Sequence, residues 1–296
     1  MDTRIPLLIL ACLVSLTGPG QAGPVDLDDR VADAPGITYF DLMKQVVTDL
    51  DSGQAEGKSE PKAHQIVSYR HIEGKDAKTD PAGPVAVSSL SALPVRSDGK
   101  TRLALLADLG ESDGNVAELV LLALFEITAT PKLLDVVEVG NDRMTGFADK
   151  PLAHLSSDAD LIRIDSDHSN ADEDFVDTEF IFVRDGRFHL IDAISTFDIK
   201  TCTFALSQLP AVTTRPDRGR PYRRIIVTVR EKVKLQDDVE GCSEAKLPHA
   251  FVRLFRATYR WDARRQDFIT PSRDMEELAK KNDKLNAADP MIPTKY

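Results

Sequence analysis

Two apolar runs between Asp177 and Thr196 meet at Asp185-Gly186. An Asp-Gly pair between apolar runs predicts a β-hairpin closed by a two-residue turn. That turn sets Val183 opposite Phe188, Phe182 opposite His189, Ile181 opposite Leu190, Phe180 opposite Ile191 and Glu179 opposite Asp192. Ile181, Val183, Phe188 and Leu190 then share one face, and Phe180, Phe182 and Ile191 share the other. Leaving either face in water would forfeit about 1.5–3 kcal/mol per large side chain, so the hairpin is expected within a sheet covered on both sides.

The same reading runs along the rest of the chain. Tyr39, Leu42, Met43, Val46, Val47 and Leu50 recur at helical spacing behind Thr38 and Asp41, which predicts a capped amphipathic helix ending near Gly53. A short strand is expected over 64–72. A meander follows, with strands over 85–95, 102–109, 116–127 and 132–139, the first two joined at Asp98-Gly99. The stretch 140–158 lacks sustained periodicity and reads as a long loop; Asp160 to Ile164 reads as a short strand, and Asp165 to Asp174 as an acidic loop. Thr201 to Leu206 is a further short strand, and Thr213 to Arg224 an arginine-rich loop. Between Ile225 and Leu235 apolar residues alternate with polar ones, predicting a half-buried strand with a basic outer face whose inward row is broken by Glu231. A strand over 251–261, a turn at 262–267 and an amphipathic helix from about Asp274 complete the pattern.

The class is therefore mainly β: antiparallel, sandwich-like sheets with flanking N-terminal and C-terminal helices, an irregular β-propeller being the alternative. The expected organisation is a signal peptide over 1–22, a leader and helix over 23–62, a β-rich domain over 63–270, and a helix and tail over 271–296.

Composition changes this picture in two places. The N-terminus has Arg4, an apolar stretch from Ile5 to Leu16 and the small-residue end Gly20-Gln21-Ala22, the three parts of a secretory signal. Export to a secreted or periplasmic location follows, with cleavage after Ala22 and no transmembrane segment in the mature chain. Cleavage leaves Cys202 and Cys242, which an oxidising compartment would join in one disulfide. The formal net charge of -11 and pI near 5.1 argue against a general affinity for nucleic acid or anionic lipid, since those partners require a basic surface.

Candidate chemistry is sparse. The nucleophile-elbow, zinc-protease, phosphate-loop and dinucleotide-binding signatures are all absent from the sequence. Asp165 and Asp167 alternate as in the front half of a calcium loop, but Asn170 and Val176 stand where that loop requires Gly and Glu. The hairpin register nevertheless sets Glu179 against Asp192, and these two with Asp165 and Asp167 form a candidate cation site, Ca²⁺ being the ion considered; no cofactor is required. Arg215, Arg218, Arg220, Arg223 and Arg224 form a candidate clamp for an anionic envelope component, or else pair with the chain's own carboxylates. The function expected is a binding or envelope-associated module, the alternative being a hydrolase that uses the acidic residues, with or without a metal.

Overall fold

The computed structural model describes residues 22–51, 65–74, 80–81, 83–112, 118–140, 142–169, 173–236 and 249–287. Residues 1–21, His64 and Cys242 lie outside the described residues, and with them most of the signal peptide and one half of the expected disulfide.

The N-terminal segment forms β1 (Gly23–Pro24), β2 (Arg30–Val31), β3 (Ala34–Thr38) and one turn of helix, α1 (Tyr39–Met43). The cap is as expected: the Asp41 amide donates to Thr38 Oγ1 at 3.3 Å and the Thr38 amide to Asp41 Oδ2 at 2.9 Å. The helix does not run on to Gly53. Val46 and Val47 instead join 65–67, with Val67 N donating to Val46 O at 2.9 Å and Thr48 N to Gln65 O at 2.9 Å. The apolar stripe is still buried, but through a turn, in which the Val46 and Val47 amides both donate to the Met43 carbonyl, and an isolated bridge from Val47 to Ile66.

A short strand, β4 (Arg70–His71), precedes the meander of β5 (Ser89–Ser97), β6 (Lys100–Glu111), β7 (Glu118–Glu126) and β8 (Lys132–Glu138). These form a six-stranded sheet in the order β1-β5-β6-β7-β8-β4, antiparallel except where β4 runs parallel to β8.

The second sheet corrects three expectations. The supposed loop over 140–158 contains a strand, β9 (Met144–His154), whose weak side-chain pattern hid a ladder to its neighbour β10 (Asp160–Ser169). The acidic segment likewise belongs to the arms of a hairpin between β10 and β11 (Glu173–Arg184). After β12 (Arg187–Lys200), only the end of the expected short strand over 201–206 is strand, as the start of the longer β13 (Phe204–Arg215), and the arginine loop shrinks to the connection before β14 (Arg224–Leu235). β15 (Phe251–Asp262) and β16 (Asp267–Ile269) finish the sheet, and α2 (Asp274–Ala287) follows.

The order is β16-β15-β14-β13-β12-β11-β10-β9, all antiparallel, but β12 and β13 share only the pairs Ile199↔Leu206 and Lys200↔Ala205. Beyond them the sheet folds over itself. Ile162, Ile164, Ile181, Val183 and Phe188 pack against Leu93, Leu106, Leu122 and Val137 of the first sheet. Phe180, Phe182 and Ile194, on the opposite face of the same strands, pack against Val227, Phe255, Tyr259, Trp261 and Leu278 from β14, β15 and α2. The hairpin is thus covered on both sides, as its two apolar faces require. The molecule is a stack of sheets, sandwich-like, with no propeller among the described residues.

Candidate functional site

The four carboxylates expected to share a cation are not brought together. The hairpin register holds from Arg184↔Arg187 to Ile181↔Leu190 and then slips at a bulge, so Phe180 faces Asp192 and Glu179 faces Ala193. Ile191 is the extra residue. The like-charge pair Glu179–Asp192 therefore does not form. Glu179 shares the face of Ile164 and Ile181, toward the first sheet, and is buried. Asp192 lies on the opposite face, where Tyr259 Oη donates to its Oδ2 and the Ala193 amide to its Oδ1 at 3.0 Å. Burial raises the Asp192 carboxyl and the Tyr259 bond only partly offsets this.

Asp165 and Asp167 lie elsewhere, in an open cleft of about 760 Å³ beside β9, with Asp108, Glu118, Asp149, Arg143, Lys150 and Arg163. Asp165 Oδ1 accepts from Thr178 Oγ1 at 2.6 Å. Burial raises both aspartates and Glu118 from their ordinary values, and burial lowers Arg163. Among the described residues no group of three or more His, Cys, Asp or Glu is gathered closely enough to hold a metal ion. Glu179 and Asp192 do not line this cleft.

The arginine cluster is divided. Arg220 lies 3.2 Å from Asp217 Oδ2 and donates to the Trp261 carbonyl, while Arg223 donates to Thr214 Oγ1 at 3.1 Å and to the Thr214 carbonyl at 3.2 Å. Arg218 is exposed in the connection. Arg215 and Arg224 sit directly opposite one another across β13 and β14, a juxtaposition of like charges that costs stability unless an anion or water screens it.

That pair begins a larger feature which the sequence showed only on one strand. Ile225, Val227, Val229 and Val233 point inward from β14, so Arg224, Ile226, Thr228, Arg230, Lys232 and Lys234 point outward. The register aligns them with Ser207, Leu209, Ala211, Thr213 and Arg215 of β13, and with Val252, Leu254, Arg256 and Thr258 of β15. No carboxylate stands on these rows. Arg260, next along β15, pairs with Asp217 at 2.7 Å, and Asp262 and Asp267 lie beyond it. Among the described residues Arg230, Lys232, Lys234 and Arg256 make no ion pair. The nearest basic rows could be anticipated from the alternation on β14; the contribution of β15 could not, because it depends on register between strands separated by a long connection.

Comparisons with family models, curated proteins and solved structures find no match to this chain.

Proposed function

We propose that the protein is an exported binding module that engages an anionic partner through the outer face of β13, β14 and β15. The observation that carries this reading is the segregation of charge: in a chain of net charge -11, one sheet face presents Arg215, Arg224, Arg230, Lys232, Lys234 and Arg256, with no carboxylate among the described residues of its rows. Such a patch creates a local positive potential whatever the net charge. The tripartite N-terminus and the even count of cysteines beyond it, Cys202 and Cys242, support an envelope or extracellular setting.

The test is retention at neutral pH. The purified protein is expected to bind a cation-exchange matrix and soluble polyphosphate at low salt despite its acidic pI, and to release both as salt screens the face. Arg230→Glu with Arg256→Glu should abolish retention while leaving the thermal midpoint within a few degrees. If the wild type flows through at low salt, the anionic-partner reading fails. Intact mass of the exported sample should lack residues 1–22, and alkylation without reduction should label neither cysteine.

A further inference from the structure

The basic face also carries exposed aliphatic side chains in a defined arrangement. Of the large hydrophobic residues exposed among the described residues, Leu209, Leu235, Val252 and Leu254 all lie on β13, β14 or β15, with Met144 on β9 the exception. Leu209 is 57% exposed, Val252 54% and Leu254 62%. Leu209, Arg230 and Leu254 form a single row across the three strands. Strand spacing places the two leucines about 10 Å apart with the guanidinium stem between them, and Val252 about 7 Å from Leu254 along β15. Three aliphatic side chains projecting from within a field of arginine and lysine are not the composition of a merely solvated face.

We infer that this face docks on an anionic lipid bilayer, with Arg230, Lys232, Lys234 and Arg256 at the level of the headgroups and Leu209, Val252 and Leu254 entering the acyl boundary. The inference rests on the proposed binding reading and narrows its partner. Charge complementarity selects a negative surface, since polybasic patches are drawn to anionic leaflets. The aliphatic residues select lipid over nucleic acid: no aromatic side chain is present on these rows for bases to stack on, and no Asn or Gln for base edges. A soluble polyanion would neutralise the cations but give the leucines nothing to enter, whereas the headgroup boundary accepts both kinds of side chain. Long arginine and lysine stems can lie along apolar surface while their charged ends stay with phosphate, so the mixture is compatible within one interface.

The experiment is co-sedimentation of the purified protein with vesicles of phosphatidylcholine alone and of phosphatidylcholine with about one third phosphatidylglycerol, beside binding to soluble polyphosphate. Binding to the anionic vesicles is expected, with little to phosphatidylcholine alone. Arg230→Gln with Arg256→Gln should weaken it about tenfold or more. Leu209→Ser with Leu254→Ser should weaken vesicle binding about tenfold while polyphosphate binding is unchanged, and thermal unfolding should confirm that both variants are folded. Polyphosphate binding without vesicle binding overturns the bilayer inference and leaves the anionic-partner reading standing; binding to neither overturns both. Vesicle binding that ignores the leucine pair overturns docking by insertion, and self-association lost in the leucine variant without vesicle binding assigns the face to a second copy instead.

Discussion

Asp192 and Tyr259 show how a single pair sets local energetics. Tyr259 is fully buried and donates its hydroxyl to a carboxyl that burial pushes up. Because the folded carboxyl titrates above its ordinary value of 3.8, the folded state holds its proton more tightly than the unfolded chain. Its contribution is therefore neutral at pH values below 3.8 and becomes a cost as pH rises through the raised value. Asp192→Asn is expected to remove that cost while its amide oxygen still accepts from Tyr259, so the variant should gain on the wild type as pH rises above 3.8. Tyr259→Phe should instead lose about 1–3 kcal/mol at neutral pH by leaving Asp192 Oδ2 without its donor. Denaturant midpoints measured from pH 3 upward check both, and identical pH profiles for wild type and Asp192→Asn would refute the assignment. Asp160 works with the opposite sign: burial would raise it, but bonds from the Arg96 amide and side chain at 2.9 Å and from His154 at 2.6 Å outweigh burial, so its support is present above pH 3.8 and fades below. Neither partnership was legible in the sequence. Tyr259 lies 67 residues from Asp192 and Arg96 lies 64 from Asp160, and no local pattern brings such residues together. Glu179 and Asp192 were misaligned for a related reason, since an inserted bulge residue changes register without a distinctive residue type to announce it.

Turns and strands were legible where local chemistry dictates backbone shape. Asp98-Gly99 has φ of 48° and 72°, and Asp185-Gly186 has φ of 53° and 72°, the left-handed conformation that a type I′ turn requires at both positions. The two turns also meet across the stack: the amides of Asp185 and Gly186 lie 3.4 Å from the Asp98 carboxylate, which Arg102 holds at 2.8 Å. Gly186→Val combines a β-branched side chain with positive φ and brings its Cβ within 3.7 Å of Leu134. A cost of about 1–3 kcal/mol is expected, read as a lower denaturant midpoint with unchanged slope; an unshifted midpoint would show that this turn tolerates the strain. Strand β9 was illegible because Gly146, Ala148 and Pro151 dilute its alternation, and it owes its conformation to pairing with β10. The first helix was overextended because buried spacing at Val46, Val47 and Leu50 looks the same whether a helix or a turn followed by bridging places it.

The whole molecule depends on how its last third is fixed to the hairpin layer. β12 and β13 are joined by only two residue pairs, so hydrogen bonding along the sheet does little to hold the fold-over of β13 to β16. Apolar contact supplies part of the attachment, with Met275 and Leu278 of α2 buried among Phe255, Ala257 and Tyr259. A polar cluster supplies the register. Asn282 Nδ2 donates to the Ser195 carbonyl of β12 and to Gln208 Oε1 of β13, each at 2.9 Å, while Gln208 Nε2 donates to Asn282 Oδ1 at 2.8 Å and to Glu231 Oε2 at 3.0 Å. Lys281 Nζ completes the group by pairing with Glu231, whose side chain is inaccessible to solvent. The Glu231 interruption seen on the inward row of β14 is therefore the anchor for the terminal helix. Asn282→Ala strips Gln208 and the Ser195 carbonyl of partners in a buried setting, and should cost about 2–3 kcal/mol. Lys281→Met leaves the Glu231 carboxylate buried without its cation and should cost about 3–5 kcal/mol at neutral pH. Adding Glu231→Leu to Lys281→Met should recover part of that loss, because an apolar pair carries no uncompensated charge. A double-mutant cycle on the thermal midpoint measures this, and strictly additive losses would show that Lys281 and Glu231 do not act as a pair.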